Sequence, residues 1–126
     1  MENQLTHEVL VVEDEPLTRM AAADAIAEVG VRVKEAGDAG EALHILAEHP
    51  QVGVLFTDID LPGDMDGLVL AEKVHSQRPD VELIVTSGHT QLADSDLPDS
   101  GTFLPKPYRA KRLQDVVEDK LKSRQG

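Results

Sequence analysis

Short apolar runs alternate with amphipathic stretches along almost the whole chain. Val9-Leu10-Val11-Val12 is β-branched and aliphatic between acidic residues, the pattern of a buried strand. Pro16 follows where a helix's first turn tolerates proline. Leu17, Ala21, Ala25 and Val29 then recur at a spacing of four with Ala22 and Ile26 beside them, which predicts one helix face closed by Gly30. Residues 31–35 alternate apolar and charged, as a short edge-side strand does. Asp38 followed by Glu41 resembles a capping box and opens a second helix through Leu46, ended by Pro50. Residues 52–57 lack charge and predict a central strand. Asp66 caps a third helix carrying Leu70, Ala71 and Val74, which stops before Pro79. Residues 81–86 predict the fourth strand and 102–104 a short fifth. The final helix starts near Arg109 and buries Leu113, Val116, Val117 and Leu121.

Strand and helix patterns in this order predict an α/β fold, a doubly wound, five-stranded parallel sheet with helices on both faces. One stretch breaks the rhythm. Between Thr86 and Thr102 the sequence SGHTQLADSDLPDSG is polar and marked by Pro and Gly, so the fourth helix is expected to be short or irregular, spanning at most residues 91–95. This region is expected to be the most mobile.

The length of 126 residues suits a single domain over 1–126, with its core at about 8–121. The absence of cysteine excludes disulfides, thiolate metal sites and cysteine nucleophiles. A formal charge of -12, from 24 acidic and 12 basic residues, disfavours nucleic-acid partners. No apolar run approaches the ~18 residues of a membrane span, and the polar N-terminus lacks the order of a signal peptide, so a cytoplasmic location without membrane contact is expected.

Doubly wound sheets bind ligands beyond the carboxyl ends of their strands. There this chain places Glu13-Asp14, Asp58, Thr86-Ser87 and Lys106. Glu13, Asp14 and Asp58 would crowd negative charge unless a cation compensates, and hard carboxylate oxygens without His or Cys suit Mg²⁺. Lys106 supplies a second positive charge and Thr86 a hydroxyl donor, the groups that neutralise and orient an incoming phosphoryl group. Asp58 is then the nucleophile that forms an acyl phosphate. Each feature also has an ordinary reading: a solvated acidic turn for Glu13-Asp14, a cap for Asp58, a strand-end residue for Thr86, a loop charge for Lys106. Convergence on one sheet edge favours the chemical reading. His7, His44, His49, His75 and His89 are scattered without ligand spacing; His89 lies closest to the site and is expected to be solvated.

VLVVEDEP, TDIDLPGDMDGL, the VTSG strand end and FLPKPY, in this order, resemble the signature blocks of bacterial response-regulator receiver domains of the chemotaxis-receiver type. The resemblance runs from about Val9 to Leu121. It implies a flavodoxin-like (βα)5 fold and a two-component system, with Asp58 as phosphoacceptor. Asp14 would bind the metal directly, Glu13 through water, and Asp60 through its backbone carbonyl. Thr86 and Lys106 would bind the phosphoryl group, Lys106-Pro107 would be a cis peptide, and Phe103 would be the aromatic that turns inward with Thr86 on activation. Plain core packing is the alternative for Phe103. Departures from the family pattern are Glu13 for the commoner Asp, one extra residue at Gly63-Asp64, an acidic Asp60, small residues at Ser87 and Gly88 that leave the site open, and the weak fourth helix.

The expected function is a stand-alone switch rather than an enzyme in its own right. It would take phosphate from a histidine kinase or histidine phosphotransfer protein and signal through a partner or act as a phosphate sink, as a monomer or weak dimer. Only residues 122–126 follow Leu121, and the chain starts with Met1, which favours an independent protein. A receiver segment of a hybrid histidine kinase is the alternative. A phosphatase of the aspartate-nucleophile type, suggested by Asp58-Ile59-Asp60, fits less well because that motif here follows the third strand. A pure interaction module with a vestigial acidic edge is a further alternative.

Overall fold

The computed structural model describes residues 7–98 and 101–125. Its elements are β1 (Glu8–Val12), α1 (Pro16–Ala27), β2 (Arg32–Ala36), α2 (Ala39–Glu48), β3 (Val52–Asp58), α3 (Gly67–Gln77), β4 (Glu82–Ser87), a 3₁₀ turn (Asp94–Asp96), β5 (Thr102–Pro105) and α4 (Ala110–Gln125). Every strand lies within one residue of its expected limits. Among the described residues, no helix is long and apolar enough to cross a membrane.

All five strands are parallel, in the order β2-β1-β3-β4-β5. The order reverses direction between β1 and β3, which makes the crevice beyond their carboxyl ends the natural ligand site. Registers Val12↔Thr57, Asp58↔Thr86 and Ser87↔Pro105 bring those ends to one level.

The sheet separates two apolar layers. On one face Ala39, Ala42 and Leu46 of α2 and Leu70, Ala71 and Val74 of α3 pack with Leu10, Leu55, Leu83 and Val85. On the other, Ala22, Ala25 and Ile26 of α1 and Leu113, Val116, Val117 and Leu121 of α4 pack with Val9, Val11, Phe56 and Ile84. Burial on both faces is why β1 and β3 carry unbroken apolar runs.

The helix ends follow local chemistry. The Glu15 side chain caps α1 through Thr18 N–H at 2.9 Å, Asp38 caps α2 through Glu41 N–H at 2.8 Å, and Asp66 caps α3 through Val69 N–H at 2.9 Å. Gly30, at φ 97°, takes the left-handed turn that closes α1. Gly63, at φ 92°, does the same in the lengthened loop after β3.

One expectation needs correction and another a shift of position. The buried stripe of α1 is Ala22, Ala23, Ala25 and Ile26, whereas Leu17 is 73% exposed and Ala21 lies on the exposed side. A spacing of four fixes a face but does not say which side meets the sheet. The short or irregular element expected at 91–95 at most is a single 3₁₀ turn, displaced to Asp94–Asp96, and Leu97 behind it is buried with Phe103. Asp94 reaches back to β5 and accepts Phe103 N–H at 2.8 Å, and Gly101 N–H is bonded to the Pro98 carbonyl at 2.9 Å. Residues 99 and 100 of the irregular stretch, and 1–6 of the polar N-terminus, lie outside the described residues.

Candidate functional site

Four strands deliver the site. Glu13 and Asp14 leave β1, Asp58 is the last residue of β3, Thr86 lies near the end of β4, and Lys106 follows β5. Glu13 is held at both ends of its peptide: its N–H donates to the Ala36 carbonyl at 3.0 Å, and its carbonyl accepts from Arg19 Nη1 at 2.8 Å. Arg19 also pairs with Glu35 at 3.2 Å, tying the β1–α1 loop to the edge strand. Asp58 is fixed by the tight start of α3. A Cβ on Gly67 would lie 1.8 Å from the Asp58 carbonyl oxygen, so only glycine fits there.

Lys106 is the centre of the electrostatics. Its Nζ donates to Asp58 Oδ2 at 2.9 Å and to Glu13 Oε1 at 3.1 Å. Its own N–H donates to the Ser87 carbonyl at 3.0 Å, and the Lys106-Pro107 peptide is cis. Beyond it the Tyr108 ring packs edge-on against Phe56, with centroids 5.9 Å apart. Glu13 and Asp58 are buried and Asp14 is exposed, and carboxylate oxygens of the three lie within 4.8 Å of one another. Burial pushes the Glu13 carboxyl above its ordinary value, the Asp58 carboxylate adds to this, and Lys106 only partly offsets it. Burial alone would lower the Lys106 ammonium, but the bonds and charges of Asp58 and Glu13 outweigh it and hold it above its usual value. One ammonium shared between two buried carboxylates leaves negative charge uncompensated. Oxygen donors of this kind could hold a hard divalent cation, with the exposed Asp14 on the solvent side.

The remaining predicted residues are placed as follows. The Thr86 hydroxyl is buried and donates to the Leu104 carbonyl at 2.6 Å, so it is engaged by β5 in this conformation. Phe103 is buried in the layer with Leu97 and Val85. Asp60 donates its N–H to Asp58 Oδ1 at 3.1 Å, while its carboxylate faces the loop after β4. There it meets Ser87 and His89, two contacts that sequence reasoning missed. Arg19 was missed as well; six residues beyond Glu13, nothing marks it as a partner of the acidic pair.

The response regulator receiver domain family matches residues 9–118. The sensor kinase CckA of Brucella abortus (strain 2308) is 36% identical over 117 residues, 90% of this chain but 12% of that protein. The response regulator receiver protein CpdR of the same organism is 30% identical, over 90% of this chain and 95% of that protein. The chain thus spans a small part of some curated relatives and nearly the whole of another. A CheY-like receiver domain protein from Methanospirillum hungatei JF-1 superposes with a TM-score of 0.84 at 26% identity, over 94% of this chain and 96% of that one. The chain belongs to the response regulator receiver domain family of two-component signalling.

Proposed function

We propose that this domain is a phosphoacceptor switch: Asp58 takes a phosphoryl group from the phosphohistidine of a histidine kinase or phosphotransfer protein. The observation that carries the reading is Lys106 bridging buried Asp58 and Glu13 at 2.9 and 3.1 Å beside exposed Asp14. A carboxylate oxygen of Asp58 attacks phosphorus as the phosphorus–nitrogen bond of the donor breaks; the bond's electron pair returns to a ring already protonated on its other nitrogen, leaving an acyl phosphate and a neutral donor imidazole. Lys106 counters the charge of the entering oxygens, and Thr86 supplies its hydroxyl to one of them once it leaves the Leu104 carbonyl.

Glu13, Asp14, Asp58 and the Asp60 carbonyl would hold Mg²⁺, which when bound neutralises charge between acceptor and phosphoryl oxygens. The donor set fits that ion, being all oxygen and already in excess of cation. Movement of Thr86 toward the phosphoryl group and repacking of Phe103 would make the two-state element that a partner protein reads. The similarity to CckA supports a receiver segment within a larger kinase, and that to CpdR a self-standing receiver; the chemistry at Asp58 is the same in both.

The test is intact mass after incubation with Mg²⁺ and acetyl phosphate, run beside Asp58→Asn. A single phosphate adduct in the wild type alone is expected. An equal adduct in the variant would remove Asp58 as the acceptor.

A further inference from the structure

Ser87 is fully buried, and its hydroxyl oxygen accepts two backbone N–H groups, from His89 at 3.1 Å and Thr90 at 3.0 Å. With that oxygen occupied as an acceptor, its proton is left for the Asp60 carboxylate, whose Oδ2 lies 3.4 Å away. The same Oδ2 lies 3.4 Å from His89 Nδ1, a contact that needs only the neutral tautomer with its proton on that nitrogen. Two donors, one from the last residue of β4 and one from the loop after it, therefore converge on one oxygen of Asp60. The backbone of Asp60 is meanwhile tied to the acceptor, through its N–H and Asp58 Oδ1 at 3.1 Å. The Asp60 carboxylate does not join the cluster of Glu13, Asp14 and Asp58.

We propose that Ser87 and His89 are positioning residues that draw the Asp60 carboxylate toward the β4 loop, off the path by which an anionic phosphodonor reaches Asp58. The inference rests on the phosphoacceptor reading. A carboxylate two residues from the acceptor is a liability, because its charge repels the donor. The clamp turns that charge aside at a position where a neutral side chain would need no holding. Ser87 acts from a rigid, buried strand end, and His89, 83% exposed, closes the clamp from solvent.

The experiment is a double-mutant cycle on the rate of phosphorylation by acetyl phosphate, followed by intact mass. Ser87→Ala/His89→Ala in the otherwise native chain is expected to slow adduct formation by about 3–10-fold, with the deficit shrinking at high salt, where like-charge repulsion is screened. In an Asp60→Asn background the same two substitutions are expected to change the rate by less than about twofold. Equal slowing in both backgrounds, or none in the native one, overturns the clamp while leaving Asp58 as acceptor. Absence of any adduct in the wild type overturns the acceptor reading and the clamp with it.

Discussion

Replacing Lys106 by methionine keeps most of the side chain's volume and removes its charge, leaving Glu13 and Asp58 facing one another. Both are nearly fully buried, at 6% and 4% exposure. Two unit charges at 4.8 Å, the outer limit of their spacing, repel by about 3.5 kcal/mol at an effective dielectric near 20. The Lys106 side chain is 26% exposed, so solvent already screens part of its attraction, which trims the expected loss to about 2–3 kcal/mol. The protein has an escape: Glu13 already holds its proton more tightly than an ordinary carboxyl, and loss of the ammonium raises it further. A carboxyl whose folded value lies above its unfolded value binds more protons in the folded state, so stability rises as pH falls through the folded value. Lys106→Met should therefore be destabilised by about 2–3 kcal/mol at pH 7.5 in metal-free urea unfolding, with a deficit that narrows towards pH 5. Added Mg²⁺ should narrow it at either pH. A deficit of the same size at both pH values and indifferent to Mg²⁺ would refute the argument, leaving stem packing as the role of Lys106.

Gly67→Ala forces a methyl onto the Asp58 carbonyl; the start of α3 must shift, at a cost of about 1–3 kcal/mol despite the gain in helix propensity, and a displaced Asp58 should slow adduct formation with acetyl phosphate. Arg78 donates to the carbonyls of Leu46 at 3.3 Å, Pro50 at 3.0 Å and Val52 at 2.9 Å, so Arg78→Ala should lower stability by about 2–3 kcal/mol, read as a reduced urea midpoint with unchanged slope. Burial lowers the Lys120 ammonium below its usual value, against the pull of Glu82, Asp94 and Asp119. Its contribution to stability therefore grows as pH rises towards 10.5, the opposite sign from Lys106, whose contribution is lost above that pH. Lys120→Met should flatten the first slope in urea midpoints taken from pH 8 to pH 10.

The strands were legible because burial on both faces leaves no room for polar interruption, and each apolar run ends where the chain meets solvent. The acidic corner was legible for a related reason: Glu13, Asp58 and Lys106 sit at strand ends, and parallel topology brings such ends together. Leu17 misled because periodicity gives an angle on a helix and not the direction of its neighbour. The turn at Asp94–Asp96 could not be read because its anchor is the Phe103 N–H of the following strand, a bond with no fixed spacing in sequence. The contacts of Arg19, Ser87 and His89 were illegible for the same cause. Each residue works through hydrogen bonds to partners that only the folded chain brings near, and such bonds leave no periodic trace.

The anchor at Phe103 also bears on what this sheet can join. An edge strand recruits other strands through its outward amides. In β5, Lys106 N–H points inward to Ser87, so alternation turns Gly101, Phe103 and Pro105 outward. Gly101 N–H is taken by the Pro98 carbonyl, Phe103 N–H by the Asp94 carboxylate, and Pro105 has none. Among the described residues no full helix is built between β4 and β5, yet the outward N–H groups of Gly101 and Phe103 on the border it would have screened are already taken. The turn acts as a selvedge, finishing the β5 border on its donor side and leaving β2 as the edge with its outward amides uncovered by this device.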